Sequence, residues 1–99
     1  MAIYVNIYLD NDKEGMIVMI KAFNGKKPVI DKKAYVFEDG CVIGMVELAE
    51  YSSIWFNATV RGDIAPIKIG KYTNLQDNAV LHVADDLPCI VGDYVTVGH

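Results

Sequence analysis

Apolar residues return every six positions along this chain. Val36, Val42, Leu48, Ile54 and Val60 keep the beat; after three extra residues it resumes at Ile69, Leu75 and Leu81, and after four more at Val91 and Val97. Four places after several of these sits a small or β-branched residue: Ser52, Ala58, Thr73, Ala79 and Val95. One place after come Gly70, Gly92 and Gly98. Neither the 3.6-residue period of a helix nor the alternation of an antiparallel strand produces this spacing. A six-residue unit of short strand plus turn does. Three units close a triangular coil of 18 residues, coils stack by parallel pairing, and the inward aliphatic side chains form one column that is the whole core. The pattern predicts an all-β chain, a parallel β-helix of roughly three to four coils. An ordinary sandwich would not keep ten positions in one register. The extra residues, Ala65-Pro66-Ile67 and Ala84 to Pro88, are expected to bulge out at corners, where a proline costs no ladder hydrogen bond.

Upstream of the beat, Ile17 to Phe23 reads as a strand, Asn24-Gly25 as a turn, and Pro28-Val29-Ile30 as the lead into the first coil. Two segments follow: 1–18, outside the repeat, and 19–99, the β-helix. Met1 to Gly15 are either an added strand or non-native upstream sequence. Lys13-Glu14-Gly15 is what a purine-rich ribosome-binding site encodes in frame, and Met16 and Met19 follow it.

Composition narrows the function. The 99 residues allow one small domain, and 53% hydrophobic against 22% charged residues suits a packed core. A net charge of −4 argues against nucleic acid or an anionic membrane surface, since phosphate binding needs clustered cations. Lys26-Lys27 and Lys32-Lys33 read as solvated turn residues. No run approaches the roughly 18 apolar residues of a membrane span, and the N-terminus lacks a basic start and long apolar stretch. Cys41 and Cys89 stand far apart in no ligand spacing, the pattern of reduced thiols in a cytoplasmic protein.

Polar residues with chemistry concentrate in the second half. Arg61-Gly62-Asp63 follows Val60; Asn74, Gln76 and Asp77 surround Leu75; His82 follows Leu81; His99 lies two places after Val97. Asn74 and Gln76, two apart, share a strand face, as do Arg61 and Asp63. Without the four inserted residues, His99 is 13 register steps beyond His82, short of the 18 that would stack it directly above. The two histidines therefore belong to different sides of the triangle. Zinc needs three protein ligands plus an open position for water.

These motifs, VRGD at Val60 to Asp63, TNLQDNAVLH at Thr73 to His82 and IVGDYVTVGH at Ile90 to His99, resemble those of the gamma-class carbonic anhydrases and their close hexapeptide-repeat relatives. The likeness covers roughly Ile20 to His99. It implies a left-handed helix, a homotrimer with metal sites between subunits, and a metal-hydroxide hydration of carbon dioxide to bicarbonate. His82 and His99 match metal ligands, zinc first, with iron or cobalt also suited to imidazole. Gln76 and Asn74 match residues beside the metal water. Arg61 and Asp63 match an interface pair, which Asp77 is expected to join. Asp85 and Asp86 are the carboxylates placed to move protons. Tyr72 and Tyr94 either line a pocket or cover corners, and of the neighbours Trp55 and Phe56 one is expected to face in and one out.

The chain departs from the family at several points. The third family histidine, five places after the one matching His99, the last coils and a C-terminal helix lie beyond these 99 residues, and Ile64 stands where the archetype has a carboxylate. The resemblance thus implies an incomplete domain, inactive and poorly soluble by itself. Two other functions suit the scaffold: an acyl-CoA-dependent acyltransferase or thioesterase, and a non-catalytic trimeric subunit.

Overall fold

A computed structural model describes residues 3–8 and 16–99, with side chains from Val18 onward. The ribosome-binding-site reading of Lys13-Glu14-Gly15 and the start at Met1 lie outside the described residues. Within them, the beat residues become four stacked levels of three inward side chains. The levels are Ile20, Ile30, Val36; Val42, Leu48, Ile54; Val60, Ile69, Leu75; and Leu81, Val91, Val97. The chain is an all-β parallel solenoid, as the six-residue period predicts.

Among the described residues eleven strands carry it: β1 (Ile3–Tyr8), β2 (Met16–Lys21), β3 (Val29–Ile30), β4 (Tyr35–Val36), β5 (Cys41–Leu48), β6 (Ser53–Ile54), β7 (Thr59–Ile69), β8 (Asn74–Leu75), β9 (Val80–Leu81), β10 (Cys89–Val91) and β11 (Thr96–Val97). β1 pairs antiparallel with β2, and every other strand pairing is parallel. β4, β6, β8 and β11 stack into one four-stranded sheet, and the remaining strands form a seven-stranded sheet that runs over two sides of the triangle. That sheet is continuous because β5 and β7 turn the corner without breaking. Gly44 and Gly62 make the turn possible. They are register partners, Gly44 has φ +77°, and a Cβ on Gly44 would lie 2.3 Å from the Gly62 carbonyl oxygen. A Cβ on Gly62 would lie 2.3 Å from the carbonyl oxygen of Met45.

The middle of the column is dry. Val42, Ile54 and Val60 are wholly buried, as are the small corner residues Ser52, Ala58 and Thr73. The two corner hydroxyls are satisfied locally. Ser52 Oγ donates to the Ala49 carbonyl, and Thr73 Oγ1 donates to that of Gly92 while accepting from the Val95 amide. Val91 and Val97 in the fourth level are half-buried.

Two local expectations need correction. Ala65 and Ile67 do not bulge outward: Ile67 is fully buried opposite Val46, and Ala65 is 4% exposed. The register shift falls between Gly62 and Ile67, where Asp63 to Pro66 face Met45 alone. Two apolar residues of the insertion, Ala65 and Ile67, were drawn inward, and Asp63, Ile64 and Pro66 were left pointing outward. The Ala84 to Pro88 insertion does stay exposed, closed by a pairing of Ala84 with Leu87. Trp55 and Phe56 both face outward, because Ile54 takes the inward position; Phe56 is 43% exposed.

Two corners carry left-handed residues in columns. One holds Asp39, Asn57 and Asn78, with Asn57 Nδ2 donating to Asn78 Oδ1 at 2.7 Å. The other holds Tyr51, Tyr72 and Tyr94, φ +61°, +57° and +57°. Asparagine tolerates this region; a bulky residue does not, at a cost of roughly 1–2 kcal/mol. The tyrosines offset it by stacking: adjacent ring centroids are 5.0 Å apart in both pairs, and Lys33 Nζ sits 5.5 Å from the Tyr51 ring. Tyr72 and Tyr94 thus cover a corner.

Candidate functional site

The site residues form two groups, one on each sheet. The first is built on β7 and β9. With Leu81 turned inward above Val60, the next residue of each strand projects outward, so His82 stands above Arg61. Asp63, two places beyond Arg61 at the start of the bulge, joins them. Its Oδ2 accepts from Arg61 Nη1 at 3.0 Å; its Oδ1 accepts from His82 Nε2 at 2.9 Å and from the Ile64 amide at 2.8 Å. The Asp63 side chain is 12% exposed, against 47% for Arg61 and 37% for His82. Desolvation is the largest single influence on its carboxyl and pushes the pKa up. The His82 hydrogen bond, the Ile64 amide and the charges of His82 and Arg61 outweigh it together, so the carboxyl titrates below its usual range.

The second group is built on β8 and β11. Leu75 points in, so Asn74 and Gln76 on either side of it point out. Asn74 Nδ2 donates to Thr96 Oγ1 at 3.0 Å, and Gln76 Oε1 lies 3.0 Å from His99 Nδ1. The Gln76 backbone is held by its amide donating to the Val97 carbonyl. These residues border a depression of about 520 Å³ lined by Ser53, Trp55, Asn74, Gln76, Asp77 and His99. Trp55 is one level below Gln76, since Ile54 pairs with Leu75. Its ring stacks on Phe37 (centroids 4.1 Å, planes 16° apart), and its Nε1 donates to Ser53 Oγ at 2.9 Å.

The fold therefore joins His82 to Asp63 and Arg61, and His99 to Gln76, with Asn74 and Asp77 beside them, but keeps the two histidines on different sheets. Asp77 shares the depression with His99 and lies apart from the Arg61–Asp63 pair. Asp85 and Asp86 sit in the exposed turn just past His82. Among the described residues no three His, Cys, Asp or Glu side chains converge to hold a metal ion. Among the described residues no single place thus gathers the three protein ligands that zinc needs, and His82 and His99 stand on different sheets.

Trp55 and Ser53 were not singled out by their chemistry. Register was the signal that places them, because a residue one place after Ile54 must lie beneath one place after Leu75. Another depression of the surface, about 500 Å³ over Ala49, Gly70 and Gly92 between Val29 and Ile90, holds none of the candidate residues. No helix among the described residues is long and apolar enough to cross a membrane.

No family model matches the chain. It is 44% identical over 81 residues to a protein from Geobacillus kaustophilus named carbonic anhydrase, an alignment covering 82% of this chain and 44% of that one. It is 44% identical over 80 residues to gamma carbonic anhydrase 2, mitochondrial, of Arabidopsis thaliana, covering 75% of this chain and 29% of the plant protein. A crystal structure titled putative acetyltransferase, from Bacillus cereus, superposes with a TM-score of 0.81 at 43% identity, covering 83% of this chain and 48% of that one. The chain thus spans less than half the length of each of these relatives.

Proposed function

This chain belongs to the gamma carbonic anhydrase-like family of hexapeptide-repeat proteins, and from that premise we propose that its copies assemble as a trimer in which His82 of one copy and His99 of the next face one divalent cation. The reaction proposed for the complete assembly is hydration of carbon dioxide to bicarbonate. The observation that supports the reading is the split of the site: each sheet displays one imidazole with its own polar partners. Imidazole nitrogen suits zinc, and iron or cobalt would also bind it. The cation would supply Lewis-acid activation of water near neutral pH.

The chain's own residues then have distinct parts. Asp63 orients the His82 ring and is itself held by Arg61. Asn74 and Gln76 present amides beside the depression, where they can hold a small polar substrate. Asp85 and Asp86 lie in solvent near enough in sequence to His82 to pass protons outward. Two imidazoles are an incomplete set for a tetrahedral ion, so the 99 residues alone should hold metal weakly and hydrate carbon dioxide slowly.

Complementation tests the shared site. His82→Ala and His99→Ala chains would be refolded separately and together, and cobalt uptake followed by its visible absorption. Neither variant alone should bind; the mixture should recover part of the wild-type signal, because some interfaces then pair an intact His82 with an intact His99. A mixture no better than its parts removes the intersubunit site. Stopped-flow carbon dioxide hydration on the loaded assembly tests the reaction separately.

The superposition on a structure titled putative acetyltransferase supports a second reading, acyl transfer from coenzyme A. Release of free thiol from acetyl-CoA, insensitive to a chelator, would favour it over the first.

A further inference from the structure

We infer that Gln76 is a positioning residue that sets the tautomer of His99, holding the proton on Nδ1 and leaving the Nε2 lone pair outward. The inference deepens the proposed function, since it rests on His99 facing a cation, but the tautomer itself can be read with no metal present.

The geometry is short and specific. Gln76 Oε1 stands 3.0 Å from His99 Nδ1. An amide oxygen only accepts, so Nδ1 must carry hydrogen, and in a neutral imidazole the other nitrogen then has none. A solvated histidine prefers the opposite arrangement, with hydrogen on Nε2, so the contact works against the ring's own tendency. Gln76 has the means to impose it. Its backbone is pinned between Leu75 in the core and the Val97 carbonyl. Val97 lies two residues before His99, so acceptor and ring are anchored to the same pair of strands.

His82 makes the contrast. Asp63 accepts from its Nε2, which assigns the hydrogen there and leaves Nδ1 bare. The two imidazoles of one chain are thus set in opposite tautomers by two acceptors of different kind, a carboxylate and an amide. A histidine ligand is characteristically held through its second nitrogen by a carboxylate, carbonyl or water. Gln76 does this for His99 before any ion arrives. With Oε1 committed to the ring, the two N–H groups of the same amide are what Gln76 has left to offer the depression above Trp55.

The test is a long-range proton–nitrogen correlation spectrum of the imidazoles in the metal-free 99-residue chain, at a pH where both rings are neutral, with a His82→Asn variant to assign the signals. His99 should show the Nδ1–H pattern. Gln76→Leu should return it to Nε2–H, and Gln76→Glu, which keeps an acceptor at the same reach, should restore Nδ1–H. An Nε2–H pattern for His99 in the unaltered chain overturns the inference, and needs no variant to fold. So does a Gln76→Leu protein, folded by its backbone spectrum, whose His99 pattern is unchanged. Loss of the outer partner of a metal ligand typically weakens binding about 10- to 100-fold, and cobalt uptake by Gln76→Leu should fall on that scale. If the tautomer moves while cobalt uptake does not, the inference about Gln76 stands and the metal-facing role of His99 is what fails.

Discussion

Asp63 is held by three donors at once, the Arg61 guanidinium, the His82 ring and the Ile64 amide, and all three favour its ionised form. Because its carboxyl is held below the usual range despite desolvation, the folded state binds fewer protons there than the unfolded chain. Its stabilising contribution is therefore present above the free carboxylate pKa of about 4 and lost as pH falls through the lower folded value. Urea unfolding of the wild type and of Asp63→Asn should differ at neutral pH, with the wild type more stable, and the gap should close as the pH is taken below about 4. A gap that widens in acid contradicts the assignment. Cys41 shifts the other way: burial raises its thiol, with Lys21 opposing. The residue-scale chemistry is thus partly legible in sequence. RGD and NxQD named the polar residues, yet which oxygen meets which ring nitrogen depends on side-chain torsions that no spacing encodes.

At the scale of the element, the tyrosine corner shows how a local rule is overridden. Three bulky residues occupy a backbone region suited to glycine or asparagine, and they persist because each ring lies on the next. Stacked aromatic pairs contribute about 0.5–1.5 kcal/mol each, so Tyr72, with a ring on either side, recovers what its φ costs. Tyr72→Ala keeps the strain and loses both stacks, and should destabilise the fold by about 1–3 kcal/mol. Tyr72→Gly loses the same stacks but relieves the strain, and should be about 1 kcal/mol more stable than the alanine variant. Thermal or urea unfolding of the three proteins reads the order directly; alanine equal to or better than glycine removes the strain account. The six-residue beat located this corner, but not the left-handed turn of its tyrosines, because nothing in the local sequence favours that conformation.

For the molecule as a whole, stability comes from one column of stacked levels in which each level touches only its neighbours. Ile54 lies in the middle, fully buried between Val36 and Leu75, whereas Val97 in the fourth level is half-buried. Ile54→Ala should cost about 2–5 kcal/mol, and Val97→Ala distinctly less. Hydrogen exchange should follow the same gradient, slowest in β5 and β7 and faster in β11. Equal costs at both positions would mean that the column does not carry the fold in this graded way.

The order of inward residues from Val36 onward, the parallel stacking and the assignment of the two histidines to different sides were all written in the sequence, whereas the places of Ile20 and Ile30 in a first level were not. Burial along a solenoid is a one-dimensional property, so an apolar residue every sixth place suffices to express it. What only the tertiary structure decided is how the irregular residues were absorbed. Successive levels are offset by 18, 21 or 22 residues, as in Val36 to Ile54, Ile54 to Leu75 and Leu75 to Val97. Packing chose which inserted residues to bury: Ala65 and Ile67 went inward, Ile64 and Pro66 stayed exposed, and Asp63 came within reach of His82. The same stacking brought His99 over Gln76, 23 residues earlier in the chain. These pairings are three-dimensional because they depend on the competition of neighbouring side chains for one volume, and no periodicity along the chain records the outcome.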